Sequence, residues 1–275
     1  MKNRLFTFGC SYTGYFWPTW ADIIGTQFKE HHNYGKPGTG NYFALSQLNE
    51  VNEVYNLTKD DTVLVMISSD NRADFIQWMG TWTATGGIYA DGNFDYFGKT
   101  FPEKIWSPLH GLHNTWICLK SMKLLLDSIG CDYRVYTAFD VDDDGKDFWL
   151  DMLSSNDMLG DVYDSSAVNW DSVVVLKDRI TKLLSSTISL DGFIDKKTPR
   201  YVFNDSVTGE YFDGHPRVEE HLKWVKEIAG DFYDKRMESI VDEWSKISDG
   251  GDPQEILNEC GCHLHNELIT GKELK

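Results

Sequence analysis

Apolar and polar positions along this chain switch between two periods, and the switches mark its elements. Arg4 to Gly9 is a short apolar run that reads as a buried strand. Thr19 to Phe28 carries Trp20, Ile23, Ile24 and Phe28 at helical spacing, which predicts a helix. His31 to Gly35 predicts a short strand, and Gly35-Lys36-Pro37-Gly38-Thr39-Gly40 predicts a loop. Asn41 to Val54 returns to the helical period through Phe43, Ala44, Leu48 and Val51. Thr62 to Ile67 is a near-continuous apolar run of the kind that fills central parallel strands.

From about Phe75 to Leu109 the periodicity is lost. This stretch is rich in glycine and in aromatics (Trp78, Trp82, Tyr89, Phe94, Tyr96, Phe97, Phe101, Trp106), and it predicts a long ordered insertion. Its aromatics would form core and lid packing, or else a surface for sugar rings or acyl chains. Leu112 to Ile129 predicts a helix and Tyr133 to Ala138 a strand. Phe148 to Leu159 and Ser172 to Ser185 predict further helices. Pro216 suits the first turn of a helix running through Trp224, Val225 and Ile228. Gly250-Gly251-Asp252-Pro253 breaks the chain before a last short helix. Strands alternating with helices at this spacing predict an α/β fold, with a mostly parallel sheet covered on both faces. Residues 1–230 would form the main domain with an insertion at about 75–110, and residues 231–275 a C-terminal helical extension.

Composition narrows the function classes. A chain of 275 residues with 41% apolar residues supports a sizeable core. The net charge of −17, from 43 acidic and 26 basic residues, repels phosphate backbones and argues against nucleic acid as a partner. Five scattered cysteines, an odd number, argue against a secreted disulfide framework. No apolar run reaches the roughly 18 residues of a membrane span. The first strand begins almost at Met1, so the expectation is no signal peptide and a cytoplasmic setting, with packaging into a virion as an alternative. Oligomeric state leaves no trace in the sequence.

Two segments carry candidate chemistry. Phe6-Thr7-Phe8-Gly9-Cys10-Ser11-Tyr12-Thr13 ends an apolar strand at a glycine and then offers a serine, at the sheet edge where α/β proteins bind small ligands. Asp213-Gly214-His215-Pro216 offers an imidazole. A serine hydroxyl needs a base to take its proton and N–H donors to hold the oxyanion that follows. Histidine titrates near working pH and suits that role. The Gly38 loop and Ser68-Ser69-Asp70-Asn71-Arg72 each follow a strand and could supply donors.

These blocks together resemble the SGNH hydrolase superfamily, also called the GDSL esterase/lipase family. Phe8-Gly9-Cys10-Ser11 resembles its first block, with Gly-Cys-Ser in place of Gly-Asp-Ser. Asn33 to Asn41 resembles the second, Ile67-Ser68-Ser69-Asp70-Asn71 stands where Gly-x-Asn-Asp belongs, and Asp213-Gly214-His215-Pro216 resembles the last. The wording is most similar to SGNH-like proteins of bacteriophage genomes. The resemblance frames residues 1 to about 230 and implies a three-layer α/β/α sandwich. It implies an esterase in which Ser11 is nucleophile, His215 base and Asp213 its orienting acid, with Gly38 and Asn71 in the oxyanion hole. Ser69 or Arg72 could take the place of Asn71. It implies a small-molecule or glycan ester as substrate, such as an O-acetylated carbohydrate, and neither cofactor nor metal. The third block lacks its glycine, and one residue separates Asp213 from His215 where the family has two. Those departures keep a second expectation in play: an inactive relative that binds glycans or serves as a phage structural or accessory protein. Acyl transfer to an acceptor other than water is a third.

Blander readings exist for each feature. Ser11 could cap a helix, Gly38 could be only a turn residue, and Cys10 could be a rival nucleophile or a small core residue. His221 is expected on a solvated helix face. Asp140 to Asp144 is a sparse match to a calcium loop, and Cys260-Gly261-Cys262-His263-Leu264-His265 is either half a zinc site or a plain helix end.

Overall fold

A computed structural model describes residues 2–77, 80–83, 86–88, 106–139, 169–205, 209–265, 268–269 and 272–273. A parallel sheet lies at its centre, formed by β1 (Lys2–Gly9), β2 (Phe28–Gly35), β3 (Thr62–Ile67) and β4 (Asp132–Thr137) in the order β2-β1-β3-β4. The helices are α1 (Trp20–Gly25), α2 (Asn41–Tyr55), α3 (Pro108–Ile129), α4 (Trp170–Thr181), α5 (Val218–Glu227), α6 (Arg236–Ser248) and α7 (Ile256–Glu259). They cover both faces, so the chain is a three-layer α/β/α sandwich.

Strand alternation assigns each side chain to a layer. Leu5, Leu64, Met66 and Tyr136 face a core shared with Trp20, Ile23 and Ile24 of α1, Trp224 and Val225 of α5, and Val241 and Trp244 of α6. Phe6, Phe8, Val63, Val65, Ile67 and Val135 face the other core, with Leu48 and Val51 of α2, Leu119 and Met122 of α3, and Val173 and Ile180 of α4. Every residue of β3 is buried, as expected of a central strand covered twice. Burying each such side chain contributes about 1.5–3 kcal/mol.

The order of the strands positions the site. The chain leaves β1 through α1 toward β2, and leaves β3 through α3 toward β4 on the opposite flank. The two connections diverge, which opens a crevice at the carboxyl ends of β1 and β3, where ligands bind in such sheets. Ser11 lies two residues past the end of β1.

Several boundaries differ from expectation. The helix expected over Thr19 to Phe28 is only α1, capped by Thr19, whose hydroxyl accepts from Ala21 N–H at 3.3 Å. Phe28 instead opens β2 opposite Lys2; it is buried in either arrangement, so spacing alone could not separate them. Pro216 precedes its helix, for α5 begins at Val218 with Arg217 as N-cap. Helices α6 and α7 fall in the C-terminal stretch expected to be helical; unforeseen are the antiparallel pair β5 (Val202–Asp205) and β6 (Gly209–Phe212), and the short pair β7 (Leu268–Ile269) and β8 (Lys272–Glu273). The C-terminal stretch runs along the outer edge of β2. Leu264 bridges Asn33 in parallel, His265 N–H donates to Asn33 O at 2.8 Å, and the side chain of Gln47 exchanges two hydrogen bonds with the Leu268 backbone. That contact covers an otherwise open strand edge. Among the described residues no helix is long and apolar enough to cross a membrane. The acidic stretch Asp140 to Asp144, the helix expected over Phe148 to Leu159, and Trp78, Tyr89, Phe94, Tyr96, Phe97 and Phe101 of the insertion lie outside the described residues.

Candidate active site

The site begins at a glycine. Gly9 ends β1 at φ 158°, and a Cβ there would stand 2.2 Å from Thr13 Oγ1 and 2.7 Å from the Met66 carbonyl oxygen. Only glycine lets the chain turn so closely against β3. The turn then closes through Thr13 N–H and Gly14 N–H, both donating to Cys10 O at 2.9 and 3.0 Å. Cys10 points into the first core and is fully buried, whereas Ser11 Oγ reaches His215. Ser11 caps no helix; Thr19 serves α1.

Ser11, His215 and Asp213 form one hydrogen-bonded chain. His215 Nε2 lies 2.8 Å from Ser11 Oγ, although 204 positions separate the two residues. His215 Nδ1 lies 2.7 Å from Asp213 Oδ1. An Nδ1 facing a carboxylate carries the proton, which leaves Nε2 free to accept from the serine hydroxyl. The Asp213 carboxylate is nearly buried. Burial alone would raise its pKa, but hydrogen bonds from the His215 ring, the Tyr15 hydroxyl and the His215 backbone outweigh burial and hold it below the ordinary carboxylate value.

The two loops are tied by more than the reacting groups. Tyr15 donates its hydroxyl to Asp213 Oδ2, and its ring stacks on His215 at 3.9 Å between centroids. Trp17 Nε1–H donates to Pro216 O at 2.9 Å. Tyr12 sets its ring edge-on to His215 at 5.6 Å and donates its hydroxyl to Asp191 at 2.7 Å. Behind the loop, Glu220 accepts from Arg217 N–H at 2.8 Å and holds Arg200 through two bonds of 2.7 and 2.9 Å. Sequence reasoning missed Tyr15, Trp17 and Arg200. The available signal was the cluster of aromatics in a glycine-containing turn, Tyr12-Thr13-Gly14-Tyr15-Phe16-Trp17. His221 was misplaced: it is 1% exposed on the inner face of α5, and burial lowers its pKa to about 3.

Gly38 and Asn71 lie in the loops that leave β2 and β3. Gly38 takes φ 78°, a conformation that glycine adopts without strain. A strap at 86–88 joins the two loops: Gly86 N–H donates to Gly38 O at 2.9 Å and Ile88 N–H to Asn71 O at 2.7 Å. Among the described residues, no hydrogen bond engages the Ser11 N–H, the Gly38 N–H or the side-chain amide of Asn71. Ser69 Oγ accepts from Asn71 N–H at 3.3 Å, and Arg72 donates to Thr39 O at 2.8 Å while lying over the Phe139 ring.

The remaining candidates lie elsewhere. Cys260 ends α7 and Cys262 is buried in the first core, where burial pushes its thiol well above the ordinary range. Among the described residues no three histidine, cysteine or acidic side chains group as metal ligands would. A cavity of about 720 Å³ opens between the N-terminal part of α3 and α4, lined by His110, His113, Asp171 and Arg179 among others, and none of its lining residues belongs to the Ser11 site. In comparisons with known proteins, no family model, no curated protein and no solved structure matches this chain.

Proposed function

We propose that the protein is a serine esterase of SGNH type. The observation that carries this reading is the bonded chain from Ser11 Oγ through His215 to Asp213, set at the carboxyl edge of a parallel sheet. His215 Nε2 takes the proton of Ser11 as Oγ attacks the carbonyl carbon of an ester. Asp213 keeps the proton on Nδ1 and faces the imidazolium that forms. The oxyanion falls to donors that bond nothing else among the described residues: Ser11 N–H, Gly38 N–H and the Asn71 amide. His215 then gives its proton to the leaving alcohol as the acyl–alcohol bond breaks. It next takes a proton from a water whose oxygen attacks the acyl carbon, and returns that proton to Ser11 Oγ as the Oγ–acyl bond breaks and the acid leaves. The residues named need no metal for any of these steps.

The substrate class we favour is an O-acylated carbohydrate. Tyr42 and Phe75 are 47% and 41% exposed, and Trp82 packs edge-on to Tyr42 at 5.7 Å. Exposed rings beside a polar site suit the apolar faces of sugars. Tyr42 stands in the first turn of α2, directly after the Gly38 loop, and Phe75 and Trp82 lie further along the stretch that follows the Asn71 loop.

The test is turnover of a chromogenic acetyl ester and of acetylated sugars. Ser11→Ala should lower kcat by on the order of 10⁴-fold or more without changing the circular dichroism spectrum. A fluorophosphonate should label Ser11 alone. Undiminished turnover by Ser11→Ala would sink the assignment.

A further inference from the structure

We propose that Tyr15 is a positioning residue of this site, holding Asp213 through its hydroxyl and His215 through its ring. The catalytic consequence rests on the esterase reading above; the geometry stands without it. The argument starts from the short spacing of Asp213 and His215. With one residue between them, the carboxylate folds back on its own chain, and Oδ1 accepts both the His215 backbone N–H at 2.9 Å and Nδ1 at 2.7 Å. A single oxygen therefore serves two donors of one residue. That arrangement leaves Oδ2 buried without a donor from its own loop. Tyr15 supplies the donor from the loop after β1. Two points of attachment on two oxygens set the plane of the carboxylate, and with it the direction of the His215 ring.

The Tyr15 ring does a second thing. It lies 26° from the His215 plane at 3.9 Å, so the imidazolium formed during turnover would rest against an aromatic face. Such a face favours a cation over a neutral ring. Among the described residues, the other ionisable or charged groups around His215 are Tyr12 and Ser11 on the same loop as Tyr15, His221 on α5 and Arg200, whose guanidinium reaches His215 O at 3.5 Å. His221 is buried and stays neutral, so it does not titrate alongside His215. Since Ser11 and Tyr15 belong to one turn, the turn that presents the nucleophile also aligns the base.

The experiment separates hydroxyl from ring and needs no substrate. The His215 imidazole is titrated by NMR through its Cε1–H, assigned by its absence in His215→Gln. Tyr15→Phe keeps the ring and removes the donor; the carboxylate charge is then no longer shared, and the His215 midpoint should rise by about half a pH unit. Tyr15→Leu removes the ring as well, and its midpoint should fall below that of Tyr15→Phe. If Tyr15→Leu does not fold, wild type against Tyr15→Phe still decides the part of the hydroxyl. On an acetyl ester, Tyr15→Phe should lower kcat about tenfold with KM unchanged, and the acid limb of its pH profile should move with the NMR midpoint. Equal midpoints in wild type and Tyr15→Phe would overturn the proposal, even with esterase activity intact. Absence of turnover in wild type would count against the esterase reading alone, and the NMR comparison would still decide the role of Tyr15.

Discussion

Two buried aspartates, Asp22 in α1 and Asp213 in the loop before α5, have opposite electrostatic fates. Asp22, in the first turn of α1, is 4% exposed and accepts from Thr19 N–H at 2.8 Å and from the Thr19 hydroxyl at 3.2 Å. Asp213 is 9% exposed and accepts from the Tyr15 hydroxyl, the His215 backbone N–H and the His215 ring. Yet burial lifts the Asp22 carboxyl to about 6, against the donors Thr19 and Asn33, while Asp213 is held below its ordinary value. Hydrogen-bond number does not explain the contrast. The partners of Asp22 are neutral and stay neutral. One partner of Asp213 is an imidazole that can become a cation, and that imidazole is itself bonded to a serine. A buried carboxylate kept ionised by a titratable partner is a candidate for chemistry, whereas one pushed toward neutrality by burial is a cap within the fold.

The sharpest way to break this contrast is the same substitution at both places. Asp213→Asn should lower kcat on an acetyl ester by about 10⁴-fold, because an amide no longer enforces the Nδ1–H tautomer. Asp22→Asn should leave kcat within about twofold of wild type, because its partners, Thr19 in the α1 cap and Asn33 on β2, do not bond Ser11, His215 or Asp213. Turnover surviving in Asp213→Asn, measured at substrate saturation, would remove Asp213 from the mechanism and the contrast with it.

A third polar group extends the comparison. Asn71 has no side-chain partner among the described residues, unlike either aspartate. A donor that bonds nothing in the resting protein can bind charge that appears only during reaction. Asn71→Ala should therefore lower kcat by about 10²–10³-fold. Stability should change by less than about 0.5 kcal/mol, since no protein bond is lost. An unchanged kcat would pass the donor role to Ser69 or Arg72, which the corresponding alanine variants would then separate.

The parts of this site that were legible in the sequence are those that sit at element ends. Ser11 and Gly38 stand in glycine-marked turns after apolar strands, and His215 stands between Asp213-Gly214 and Pro216, so local composition pointed to each. Tyr15 was not legible, because its partner is 198 positions away and no local pattern encodes that meeting. The central strands were legible because burial on two faces writes an unbroken apolar run. Helix α6 was expected only as part of a helical C-terminal stretch, although Met237, Val241 and Trp244 recur at helical spacing on its buried face and could have located it. His221 was misread for a related reason. It lies on the stripe of Val218, Leu222 and Val225, which faces the core, and its polarity was given more weight than its position. Register and spacing, taken over residue type, would have placed it correctly.

The smallest expected effect is on stability, and its sign follows from the raised carboxyl. Asp22 binds a proton more readily folded than unfolded, since its pKa is about 6 in the fold against about 4 in an open chain. Its contribution to stability is therefore greatest at low pH. That contribution falls as pH rises from about 4 to about 6 and is flat above. Asp213 runs the other way: its contribution is present above the ordinary carboxylate value and is lost as pH falls through its depressed one. Subtracting the urea-unfolding free energy of Asp22→Asn from that of wild type, pH by pH, isolates the first of these. The difference should shift against wild type by on the order of 2–3 kcal/mol between pH 4 and pH 6.5. A flat difference would mean that Asp22 is ionised in the folded protein. The contrast between the two aspartates would then lie in their partners' chemistry alone, with burial playing no part.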